Sequence, residues 1–195
     1  MISEVEIVNI ALARLGESPI QTFGEGTVPA NMAKVFYAPA RRAVLRSFDW
    51  NFSIKTVSLA KFASKPVDFR FAFALPVDCL RAIRLRREGV PDYTGETDIR
   101  FVVRSGVLYT DEEKALLEYV ADVEDTSLFD DKFIEALGYK LAADLAMPVK
   151  GSPELMANYT NVYNDLIVRA AALTGQEERP AYSDNPYLEA RNAVC

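Results

Sequence analysis

The chain has 195 residues, half of them apolar and 26% charged, with a net charge of −6. That length serves one sizeable core or two small ones, and the acid excess has the wrong sign for a surface that grips nucleic-acid phosphates. Histidine is absent and only two cysteines occur, Cys79 and the last residue; a histidine general base, a Ser-His-Asp triad and a disulfide framework are excluded.

No stretch approaches the roughly 18–20 consecutive apolar residues of a membrane span. The N-terminal MISEVEIVNIALARLGE has early acids and no basic n-region, so no signal peptide is expected and folding in a reducing cytoplasm is the default. Ser3 and Glu6 fit a capping box and Gly16 fits a helix stop. Val5, Val8, Ala11, Leu12 and Leu15 form one helical stripe between them. A loop follows, in which Gly24-Glu25-Gly26 lacks the lysine and the following serine or threonine of a phosphate loop.

A second helix is expected from about Pro29–Asn31 to Phe48, with a kink or break at Pro39 because proline removes an amide donor. Arg41, Arg42 and Arg46 cluster after that proline. They read as a solvated face or as a basic patch for a partner surface. From residue 51 the period changes to two. Phe52, Ile54 and Thr56 alternate, as do Phe69, Phe71 and Phe73 before Leu75-Pro76, and Ser105-Gly106 is placed for a tight hairpin turn. Four to six mainly antiparallel strands are expected between 51 and 122, since the links are too short for helical crossovers.

Asp125-Thr126-Ser127 offers caps for a third helix, about Leu128–Met147, which Pro148 should end. Ser152-Pro153 restarts a fourth, running to Gly175 with Leu155, Tyr159, Tyr163, Leu166 and Ala170 on one stripe. The fold class expected is α+β: helices at 1–50 and 125–175 forming a bundle around a β-rich insertion at 51–124. Residues 176–195 hold two prolines and a few apolar anchors, Tyr182, Tyr187 and Leu188, and read as an extended tail.

Candidate chemistry is sparse. Acids bunch at 111–113, 122–125 and 130–131, but at turns and helix starts, where capping and dipole complementarity explain them. The stretch from Asp122 lacks the glycine and acid spacing of a calcium loop. The sequons at Asn51 and Asn158 have no secretory context. The aromatics at 52, 69, 71 and 73 alternate without flanking basic residues, which favours core packing over base stacking. No cofactor, metal ligand set or catalytic residue is expected.

Three segments in order, NIALARLGESPI at 9–20, FDWNF at 48–52 and FALPVDCLR at 73–81, resemble the tail tubular protein A family of tailed bacteriophages, over about residues 3–175. This resemblance implies a structural virion protein of the tail or neck, a head-to-tail adaptor assembled in the host cytoplasm. It implies a ring, typically of twelve subunits, that meets the portal protein, extends its channel and offers a platform for the distal tail tube, with DNA passing unbound through the lumen. The partner-facing residues expected are Arg41, Arg42 and Arg46, with Tyr182, Pro186, Tyr187, Leu188 and Arg191 of the tail. The alternative is a virion-associated peptidoglycan hydrolase on the same scaffold, for which Glu112 and Asp130 are the acids to test.

Overall fold

Ser3 opens the first helix as its sequence predicts. In the computed structural model, which describes residues 2–63, 66–87, 89 and 99–177, the Ser3 hydroxyl accepts from the Glu6 amide at 3.2 Å. The Glu6 carboxylate in turn accepts from the Ser3 amide at 2.6 Å, a complete capping box. Helix α1 spans Glu4–Arg14 and buries Ile7, Val8, Ala11 and Leu12. It stops in a Schellman motif: Gly16 is left-handed (φ 68°), and Glu17 N–H reaches the Leu12 carbonyl at 2.9 Å.

Helix α2 spans Val28–Ser47, capped by Thr27, and runs through Pro39 without a break. No break occurs, because Tyr37 and Ala40, on either side of the proline, are both buried. The amide that Pro39 lacks would have bonded the carbonyl of exposed Val35, where water can take its place.

Among the described residues six strands follow: β1 Ile54–Ser58, β2 Phe71–Ala74, β3 Cys79–Arg87, β4 Phe101–Arg104, β5 Val107–Thr110 and β6 Ala115–Ala121. They form two three-stranded antiparallel sheets, β1-β6-β3 and β2-β5-β4. Ser105 (φ 52°) and Gly106 (φ 76°) make the two-residue β4–β5 turn, the double positive-φ geometry that matches strand twist. Of the three alternating phenylalanines, Phe73 is buried and Phe71 partly so. Phe69 lies before the strand, its ring 6.1 Å from that of Tyr109.

Helix α3 spans Asp131–Leu145. Its cap is Asp130, whose carboxylate accepts from Phe133 N–H at 2.6 Å; the expected start at Leu128 is instead a short 3-10 turn, Thr126–Leu128, capped by Asp125. Pro148 does not end α3 outright. A π-turn, Ala146–Lys150, carries the chain past it to left-handed Gly151. The Ser152 hydroxyl then accepts from Leu155 N–H at 3.2 Å, opening α4, Pro153–Glu177. That helix continues through Gly175, because one helical glycine costs only about 1 kcal/mol.

The fold is therefore mixed, with four α-helices and two small antiparallel sheets among the described residues. Helix α3 packs against α1, α2 and α4, while α2 also touches β3 and β6. Gly138 of α3 is where Arg14 of α1 crosses: a Cβ there would lie 2.3 Å from the guanidinium, which stacks 3.7 Å above the Tyr139 ring. Where the chain leaves α2 for β1, Phe48, Trp50 and Phe52 meet Phe129 and Phe133 in one aromatic cluster, with centroids 4.6–5.5 Å apart for the closest pairs.

Candidate interaction surfaces

The three arginines singled out from the sequence face inward or along the surface, and each has a partner within the chain. Arg41 is 2% exposed. Its Nη2 lies 2.9 Å from Asp122 Oδ1 and 2.8 Å from Glu124 Oε1. Burial works against the guanidinium charge, but the hydrogen bonds to Glu124 and Asp122 outweigh it and raise its pKa. Arg42 Nε meets the other oxygen of Asp122 at 2.8 Å, and Arg46 donates to the Leu80 carbonyl. The cluster thus ties α2 to the start of β3 and the end of β6, and Arg41 is not available as a contact for another molecule. The acids at 122 and 124 answer arginines; capping does not explain them. Tyr182, Pro186, Tyr187, Leu188 and Arg191 lie outside the described residues.

The short segments noted in the sequence hold themselves or one another in place. Asn9 clamps the backbone of Ile20, donating to its carbonyl at 2.9 Å and accepting from its amide at 2.8 Å. Asp49 pairs with Arg81, joining the second segment to the third. Trp50 donates to the Val44 carbonyl at 2.9 Å. Asp78 accepts from Lys55 of β1 at 2.7 Å and from the Tyr119 hydroxyl of β6 at 3.0 Å. The Lys55 contact holds its carboxyl below the ordinary range, while burial and that same carboxylate push the Tyr119 hydroxyl up to about 12. These contacts position backbone; none sets an acid and a base across a cleft.

The remaining acids are mostly neutralised. Glu112 takes a two-pronged contact from Arg87 at 3.1 and 3.2 Å, Glu113 pairs with Lys61 at 2.8 Å, and Asp111 accepts from the Arg70 amide at 3.0 Å. Glu112 and Asp130, the acids named for a hydrolase, are thus a strand-side ion pair and a helix cap. Among the described residues no cluster of three metal-ligating side chains occurs.

Among the described residues, two concave surfaces have a partly apolar lining. One lies on the β2-β5-β4 sheet, where Phe62, Pro66, Val67, Phe69 and Tyr109 are grouped beside the Arg104–Asp68 pair. The other is a cleft of about 170 Å³ between the N-terminal half of α3 and the C-terminal half of α4. Trp50, Leu166 and Ala170 supply its apolar lining, with Lys132, Glu135 and Arg169 around them. It continues into a polar recess bordered by Asp49, Asn51 and Asp130.

No family model matches the chain, and no curated protein does either.

Sequence reasoning passed over the cleft. One local signal pointed to it: Lys132 stands in the first turn of α3, where the helix dipole disfavours a cation. Helical spacing also put Leu166 on the buried stripe, but it lies at the edge of that stripe and lines the cleft.

Proposed function

We propose that this protein is a structural head-to-tail adaptor of a tailed bacteriophage, which closes into a ring on the portal and presents a platform for the distal tail tube. The observation that carries the reading is the joining of the second and third resembling segments. Asp49 meets Arg81 and Arg46 reaches Leu80, so residues remote in sequence fix one joint between helices and sheet. Such a joint suits a subunit whose task is to hold two surfaces at a set angle. A head-to-tail contact between different surfaces closes into a ring only when that angle is reproducible.

On this reading the helices form a bundle around the β-rich insertion, and the residues after α4 provide partner contacts. Arg41 serves the joint; Arg42 and Arg46, exposed at its edge, are the members of that cluster still placed to meet a neighbour. The lumen of such a ring passes DNA without gripping it, which net negative charge favours.

The test is particle mass with and without purified portal. A monomer alone and a ring on the portal are expected; a chain that never associates with portal refutes the proposal. A chain truncated after Glu177, which keeps α4 whole, should stay folded yet fail to complete portal-bearing heads. Normal completion by the truncated chain would show that the residues beyond α4 are not needed.

A further inference from the structure

We propose that the cleft between α3 and α4 is a receptor for one apolar side chain presented on an acidic peptide segment of a neighbouring subunit. Its volume, about 170 Å³, is well below the roughly 300–1,000 Å³ of small-molecule sites. It suits one large side chain. The lining is chemically two-sided: Trp50, Leu166 and Ala170 form the apolar part, and Lys132 and Arg169 stand at the rim.

Neither cation is in an ion pair among the described residues, where Arg41, Arg42, Arg81, Arg87, Arg104, Lys55, Lys61, Lys140 and Lys150 all are. Lys132 moreover sits at the positive end of α3, where its charge is opposed within the chain and favours an incoming carboxylate. The acids nearby leave that balance in place. Asp130 is committed to its cap and Asp49 to Arg81, so Glu135 is, among the described residues, the lining carboxylate left without such a partner. Two cations against one acid favour an anionic guest, and desolvation beside Trp50 strengthens the pairing.

The chain itself contains a segment of that chemistry. Residues 182–189 read YSDNPYLE, with Tyr182, Tyr187 and Leu188 as apolar groups and Asp184 and Glu189 as acids. On the adaptor reading each subunit of the ring has a second copy beside it. The occupant is accordingly the 182–189 sequence of a second copy. That source rests on the adaptor reading; the chemistry of the cleft does not.

The experiment uses full-length protein and a labelled, end-blocked peptide YSDNPYLE, followed by anisotropy and by the fluorescence of Trp50, the one tryptophan of the chain. Saturable binding with a Trp50 change is expected, weakened about tenfold or more by Lys132→Glu with Arg169→Glu and by raised salt. Replacing Tyr187 and Leu188 of the peptide by alanine should abolish it, an arm that leaves the protein untouched. Binding that ignores the charge reversal, equal binding of a scrambled peptide, or no saturation would overturn the proposal. A concentration-independent Trp50 change on charge reversal without peptide would place the segment in its own cleft and overturn the second-copy source. None of these readouts needs a ring or a portal, so failure here and failure of the adaptor reading are separable.

Discussion

Replacing Arg41 by alanine is the sharpest test of the joint between α2 and the sheet. Arg41 has a side chain 3% exposed, against 16% for Asp122 and 71% for Glu124. The Glu124 contact is solvent-screened and contributes about 0–1 kcal/mol. The Asp122 contact is of the buried kind, where removing one partner costs about 3–5 kcal/mol by stranding the other charge. Asp122 is not left bare, because Arg42 still reaches its second oxygen at 2.8 Å. The expected cost of Arg41→Ala is thus below that range, about 2–3 kcal/mol, part of it lost packing of the aliphatic stem. Arg41→Met, which keeps the stem, should cost about 1 kcal/mol less than alanine, and removing both charges with Arg41→Met and Asp122→Leu should recover most of the loss. Urea unfolding measures this: with a slope of about 2–3 kcal/mol per molar, the alanine midpoint should fall by about 1 M. A shift of less than about 0.2 M, or a methionine variant as damaged as the alanine one, would refute the account.

Asn9→Ala removes both hydrogen bonds to the Ile20 backbone and should cost about 1–3 kcal/mol, read as a melting temperature lower by several degrees. Ser105→Asn puts Asn-Gly in a turn where residue 105 already has φ 52°; a gain of a few tenths of a kcal/mol or more is expected, and a loss would contradict the turn geometry. Asp78 has a depressed pKa in the fold, so its stabilisation is present above the ordinary value near 4 and is lost as pH falls through the lower folded value. Asp78→Asn should therefore flatten the acid limb of a stability-against-pH curve below about pH 4 while changing the curve near pH 7 by a constant offset.

Much of the architecture was legible because it depends on local chemistry. The capping box at Ser3, the stop at Gly16, the Ser105-Gly106 turn and the Ser152-Pro153 restart are each decided within a few residues. What could not be read depends on contacts far along the chain. Pro39 signals a break, and only the burial of Tyr37 and Ala40 carries the helix across it. Arg41 looks like half of a solvated patch until Asp122 and Glu124, more than eighty residues later, take its charge. The cleft is least legible of all, since Trp50, Lys132 and Arg169 come from three distant stretches that share no local pattern.

The crossing of Arg14 over Tyr139 and the bond from the Tyr159 hydroxyl to the Arg14 carbonyl bear on how the chain is born. Helix α1 is made well before α3, yet its apolar face is covered by α3, whose last residue is Leu145. At synthesis rates of roughly 5–20 residues per second, the 131 residues separating Arg14 from Leu145 occupy about 7–26 s. Through that interval Ile7, Val8, Ala11 and Leu12 have no native cover from α3. The nascent protein therefore presents a sticky helix to its surroundings until α3 has been made, and folding closes late, when α3 and α4 arrive to complete it.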